Sequence, residues 1–297
     1  MGGRYTITED SITPSMSADA AVPFQPLVRP LPDLRAWTNH FHRAEIPVLE
    51  TTAESLELMR ANEDEVDANS LGEMIAADPL MTLKVLSYVA EHRSSRRTTD
   101  AETVTAALVL LGITPFFAAF GPQPTIEQRL LGRPDALDGL QRVLRRAERA
   151  ARFALGFAVH RLDPDAAVIH SAAMLHDFAE MLLWCNAPDL ALEIRRRQAM
   201  NRQLRSAVVQ REVLGIELSA LEQSLMQAWH LPELLAHITN DRLDNDPQVQ
   251  TVKLAVRLAR HTADGWDDPA VPDDIADISV LLNLGREPTL KLLHEFD

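Results

Sequence analysis

The chain has 297 residues, 29 Lys and Arg against 43 Asp and Glu, and a formal charge of -14. That length buries a core in one large domain or two smaller ones without disulfides. The single cysteine, Cys185, excludes a disulfide framework within the chain and fits a reducing compartment. The acidic balance opposes general nucleic-acid binding, which draws on Lys and Arg to neutralise phosphates. No basic start precedes an apolar run and no apolar run approaches spanning length, so a cytoplasmic protein without membrane association is expected.

Residues 1–32 hold Pro14, Pro23, Pro26, Pro30 and Pro32 among small and polar residues, a pattern for a mobile or extended arm. Helical patterning starts near Leu34 and resumes at Leu49, Leu56, Leu58 and Met59. The acidic run Glu63, Asp64, Glu65 and Asp67 is expected to be a solvated loop or helix end, because it lacks a regular ligand spacing. Ser70 with Glu73 makes a capping box for a short helix, and Asp78-Pro79 supplies N-cap and first residue of another. The pair reads as helix, sharp corner, helix. Arg93, Arg96 and Arg97 belong to a polar connection. A second capping box, Thr99 with Glu102, opens a helix that ends at Gly112.

Pro115, Pro122, Pro124 and Pro134 then interrupt the chain and place a boundary between Gly121 and Asp138. The expected division is an N-terminal helical part over 33–135 and a second helical part over 136–297. From Leu140 to Phe157 apolar residues recur at three- and four-residue spacing, with Arg142, Arg145, Arg146, Arg149 and Arg152 as one stripe on the outer face. Such a stripe is a solvated face or a docking surface for an acidic partner or phosphorylated ligand.

The stretch Asp163 to Trp184 reads as one central apolar helix, capped by Asp163, begun by Pro164 and stopped by Asn186 and Pro188. It contains His176 and Asp177 side by side. Adjacent helical residues point about 100° apart, so both reach one rim, with Glu180 a turn later. They serve either as a buried His satisfied by a carboxylate or as the start of an ion or phosphate site. Further helices are expected over Leu190 to Val213, with a second basic region at Arg195, Arg196, Arg197, Arg202, Arg205 and Arg211. Others follow at Leu218 to Trp229, after Leu231-Pro232, at Val249 to Arg260, near Asp274 to Leu284 and at Pro288 to Phe296, with an acidic loop from Asp241 to Pro247. No period-two alternation demands a strand, and the fold class is all-α.

The order of motifs resembles the HDOD family, bacterial signalling domains related to HD-type phosphohydrolases. The resembling features are Ile46-Pro47, Asp78-Pro79-Leu80 with Lys84 to Leu86, Ala107-Leu108 followed by Leu111-Gly112, Leu175-His176-Asp177, and Trp229-His230-Leu231-Pro232. They cover about residues 40 to 262. Ala90-Glu91 and Phe178-Ala179 depart from the family's usual Asn-Ser and Ile-Gly. The resemblance implies an N-terminal helical part packed on an HD-like part, and it implies where a catalytic relative holds metal. Its first ligand His falls at about Arg146 and its last Asp at about Val256. No His lies between Arg93 and Val159 and no Asp between Pro247 and Ala263. The extra histidines of a phosphodiesterase branch would fall near Leu218 and Asp241. A catalytic metal needs three or more protein groups in fixed geometry, so no metal and no cofactor are expected.

The function expected is therefore a non-catalytic regulatory module that binds a signalling protein or a small anionic ligand, with His176, Asp177 and Glu180 as a structural remnant. A homodimer is compatible with that role, although no interface is placed. The competing expectation is a metal-dependent phosphohydrolase or cyclic-nucleotide phosphodiesterase with an unconventional site at the same residues.

Overall fold

Side-chain caps set where several helices of this chain begin. A computed structural model describes residues 25–92, 101–201, 204–243 and 245–297. Among them helix follows helix, and the one element of sheet character is a parallel bridge between Val48 and Thr125. The fold is all-α. No helix of the described residues is long and apolar enough to cross a membrane. Residues 1–24 of the expected arm, together with Arg93, Arg96, Arg97, Thr99 and Arg202, lie outside the described residues.

Residues 25–32 are non-helical, and Leu27 N donates to the Asn186 carbonyl at 2.8 Å, so this end of the arm is held against the later chain. Helix α1 (Leu34–Arg43) is capped by Asp33, and its Trp37 Nε1 donates to the Leu214 carbonyl at 3.1 Å. Then come α2 (Glu50–Arg60), α3 (Ala68–Ala76) and α4 (Pro79–Glu91). The acidic run between α2 and α3 forms a 3-10 turn, Glu63–Glu65. Asp67, not Ser70, caps α3, because its carboxylate reaches the free amides of Asn69 and Ser70 at 2.8 and 2.9 Å. The expected capping box therefore sits inside the helix.

Asp78 is fully buried and serves two elements. Its Oδ1 accepts from Leu80 N and Met81 N at the start of α4, and its Oδ2 accepts from Leu49 N at 2.8 Å, just before α2. Lys84 on α4 extends the same bracing, donating to the Ile46 carbonyl at 3.0 Å and to Gln123 Oε1 at 2.6 Å. Next are α5 (Val104–Leu111), capped by Thr103, then α6 (Ile113–Ala119) and α7 (Ile126–Arg129). Gly112 between α5 and α6 has φ 88°, a conformation that favours glycine.

Helix α8 (Pro134–His160) has 27 residues, roughly 40 Å of rise, and forms the axis of the remaining chain. Against it pack α9 (Ala166–Leu175), α10 (Phe178–Asn186) and, after α11 (Pro188–Met200), α12 (Ser206–Leu214), α13 (Leu218–Ala228) and α14 (Glu233–Ile238), the helix α15 (Pro247–His261). The close approach of α10 depends on Gly139, where a Cβ would lie 2.4 Å from the Trp184 ring. Helices α16 (Val271–Leu282) and α17 (Arg286–Phe296) close the fold.

One expectation fails at the centre. The stretch Asp163 to Trp184 is two helices, α9 and α10, broken at His176 and Asp177. Asp163 does not cap the first of them directly; it accepts from Asp165 N at 3.0 Å in the preceding turn, and α9 starts at Ala166.

Candidate functional site

The break between α9 and α10 aims two polar side chains into the protein. Asp177 leaves helical geometry at φ -109°, ψ 23°, and its carbonyl accepts from Glu180 N and Met181 N to start α10. A continuous helix would splay His176 and Asp177 about 100° apart. Here His176 Nδ1 lies 3.2 Å from Asp177 Oδ1, and its Nε2 lies 3.2 Å from Asp241 Oδ1, in the turn after α14. Both ring nitrogens face carboxylates, so both must carry protons for the two contacts to be hydrogen bonds.

The charge balance agrees. Burial opposes the imidazolium, but the hydrogen bonds to Asp177 and Asp241 and the nearby Glu222 outweigh it and raise the His176 pKa to about 10.

Two arginines complete the cluster. Arg146 of α8 places Nη2 2.9 Å from Asp177 Oδ2 and 2.7 Å from Glu180 Oε2. Arg260 of α15 places Nη2 2.6 Å from Asp177 Oδ1. Burial raises the cost of ionising Asp177, and the charges of Arg260 and Arg146 with the His176 hydrogen bond reverse that, holding its carboxyl well below the usual range. Three cations, Arg146, His176 and Arg260, thus face three carboxylates, Asp177, Glu180 and Asp241.

A fourth carboxyl, Glu222 of α13, is buried beside them with Oε1 unpaired among the described residues. Burial pushes its pKa up well above the usual range; the charge of His176 opposes this, while Asp177 and Asp241 reinforce it.

Arg146 does not belong to the outer stripe assigned to it from spacing. Its side chain is 19 % exposed and turned into the cluster. The other stripe residues part company as well. Arg142 pairs with Asp138 on its own helix; Arg149 grips Asp297 at 2.7 and 2.8 Å and the Thr262 carbonyl; Arg152 donates to the Asp297 carbonyl. Arg145 alone among them is exposed without a hydrogen bond or ion pair in the described residues.

The residues at the His176–Asp177 pair do not fit a divalent ion. Each Asp177 oxygen already accepts from a guanidinium, and an added dication would sit beside two guanidiniums and an imidazolium. Among the described residues no group of three or more His, Cys, Asp or Glu is arranged to hold a metal. Three other histidines bond elsewhere: His160 with the Leu282 carbonyl, His237 with Asp246 and His261 with Asp274. His230 sits in the turn after α13 with φ 54°, where Trp229 packs on Phe178 at 5.9 Å between ring centroids.

Residues 46–242 match the family model of the HDOD domain. The chain belongs to the HDOD family. This HDOD protein is similar in structure to the MmoQ response regulator from Methylococcus capsulatus str. Bath, with a TM-score of 0.62, 20% identity, and coverage of 84% of this chain and 98% of that one. It is also similar to a virulence factor from Campylobacter jejuni subsp. jejuni, with a TM-score of 0.59, 17% identity, and coverage of 89% and 98%. Identities this low show a shared fold. No protein of curated function matches its sequence.

Sequence reasoning missed Asp241, Glu222 and Arg260. In the sequence Asp241 stands as the start of an acidic loop and as a place where a histidine is wanting. Arg260 lies one helical turn beyond Val256, the expected position of a missing ligand, and a cation there carried a signal that a search for an Asp passes over. It also lies beyond residue 242, outside the matched segment.

Proposed function

We propose that this HDOD protein is a non-catalytic signal-transduction module that acts by binding a partner protein or a small anionic ligand. One observation carries the reading: both oxygens of Asp177 and both ring nitrogens of His176 are committed to protein partners, with arginines as the cations of the site. The His-Asp pair then locks α8, the α9–α10 break, the turn after α14 and α15 together, and nothing in its hydrogen bonding is left to activate water. Its structural neighbour from Methylococcus capsulatus is a response regulator, which supports a regulatory role.

The test uses the full chain purified without chelators. Bound metal is measured and hydrolysis of phosphomonoesters and cyclic dinucleotides is assayed with added Mn2+, for wild type and His176→Ala. The expected result is no turnover that depends on His176, together with a lower melting temperature for the variant. Stoichiometric Mn, Fe, Ni or Zn lost in His176→Ala along with turnover overturns the reading in favour of a phosphohydrolase.

A further inference from the structure

One concave surface has no part in the ion cluster. A groove of about 690 Å3 runs between α2, the α3–α4 corner, α8 and α9. Its volume lies within the range of about 300–1,000 Å3 typical of small-molecule sites. Leu49, Met74, Leu144 and Met174 give it apolar surface, and Arg145, Glu148, Arg152 and His170 give it charged and polar groups.

Two of those groups have no protein partner among the described residues. Arg145 is the one arginine of α8 without a hydrogen bond or ion pair among the described residues, while its neighbours Arg142, Arg146, Arg149 and Arg152 are all engaged. His170, partly buried on α9, likewise has neither ring nitrogen hydrogen-bonded among the described residues. Burial lowers its pKa, so at neutral pH it offers one donor and one acceptor. An arginine free of carboxylates beside a part-buried imidazole offers an anion in the groove a charge and a hydrogen-bond donor.

We propose that this groove binds a small organic anion, its acidic head on Arg145 and His170 and its apolar body on Met74, Leu144 and Met174. The proposal deepens the reading of the chain as a ligand-binding module and rests on it. The Glu148 carboxylate on the same wall disfavours a second negative charge near it, so a monoanion suits the groove better than a dianion. Two consecutive residues of α8 then divide the work: Arg145 faces the groove and Arg146 the ion cluster. On α9, His170 and Met174 line the groove and the helix ends at His176, so a bound anion presses on the two helices that the cluster holds together.

The probe is 8-anilinonaphthalene-1-sulfonate, a monoanion with an apolar body, titrated calorimetrically into the folded full chain beside the neutral N-phenyl-1-naphthylamine. The expected result is one saturable site for the anion, with much weaker binding of the neutral compound. Arg145→Glu is expected to weaken it tenfold or more, and Ala77→Trp, which fills the groove from an exposed lining position, to abolish it. Arg142→Glu, on the same helix but away from the groove, leaves it unchanged, and Glu148→Gln strengthens it. Absence of saturable binding to wild type, or equal affinity in Arg145→Glu and Ala77→Trp, overturns the proposal. That failure is separate from failure of the non-catalytic reading, which shows as metal-dependent turnover lost with His176.

Discussion

His176 is useful to this protein because it is charged. Removing its imidazolium in His176→Ala leaves oxygens of Asp177 and Asp241 facing each other's charge without the cation between them. Breaking a buried pair in this way costs about 3–5 kcal/mol, which denaturant unfolding should register as a lower midpoint with an unchanged slope. The pH dependence follows from the direction of each shift. His176 has a folded pKa of about 10 against 6.5, so its contribution is fully present below about pH 6.5 and is lost as pH rises through 10. Asp177 and Asp241 have lowered pKa values, so theirs is present above the ordinary Asp pKa and lost as pH falls through the depressed values. Glu222 has the opposite sign to the other carboxylates. Its folded pKa is raised, so as pH rises above about 4.5 the unfolded state ionises more readily and the folded state loses stability. Gln keeps the neutral shape and removes that loss. Glu222→Gln is therefore expected to raise the melting temperature near pH 8 and to change it little near pH 4; an equal or lower melting temperature at pH 8 contradicts the upward shift of the Glu222 pKa by burial.

At the scale of elements, short polar side chains fix the starts of several helices. Asp78 is the strongest case, since one carboxylate caps α4 and also holds the chain entering α2. Asp78→Ala should lose a cap worth about 1–2 kcal/mol and also leave the part-buried Leu49 amide without its acceptor, so a total above about 2 kcal/mol is expected in equilibrium unfolding. A loss below 1 kcal/mol shows that the α2–α4 tie contributes little. This element was readable in advance because N-cap and proline are local signals. The α9–α10 break was not. Every residue from Val168 to Trp184 other than His170, Ser171, His176, Asp177 and Glu180 is apolar or small, so the pattern carries on through the break, and only the tertiary partners of His176 and Asp177 mark it. The arginine stripe fails for the same reason. Spacing puts Arg145 and Arg146 on adjacent lines of α8, but which line is covered depends on α10 and α15, which arrive later in the chain.

For the whole molecule, the segment that matches the family model and the packed core do not end at the same residue. The match ends at residue 242, whereas α15, which packs against α8, lies wholly beyond it, and Arg260 closes the ion cluster from there. Val252, Ala255, Leu258 and Ala259 of α15 are completely buried, and Val256 is 3% exposed. A chain ending at Asp246 would uncover their contact surface on α8 and α9 and leave Asp177 with one guanidinium instead of two. An apolar face of that kind is a liability in water, and the loss of Arg260 removes a charge from a buried network. A truncation covering residues 25–246 is thus expected to unfold without a cooperative transition or to associate, read by near-ultraviolet circular dichroism and by sedimentation. The full chain should unfold in a single cooperative step that protects the amides of α8 and α15 together in hydrogen exchange. If the truncated chain melted cooperatively at the temperature of the full one, α15 would be an addition to a self-sufficient domain and not the wall of its core.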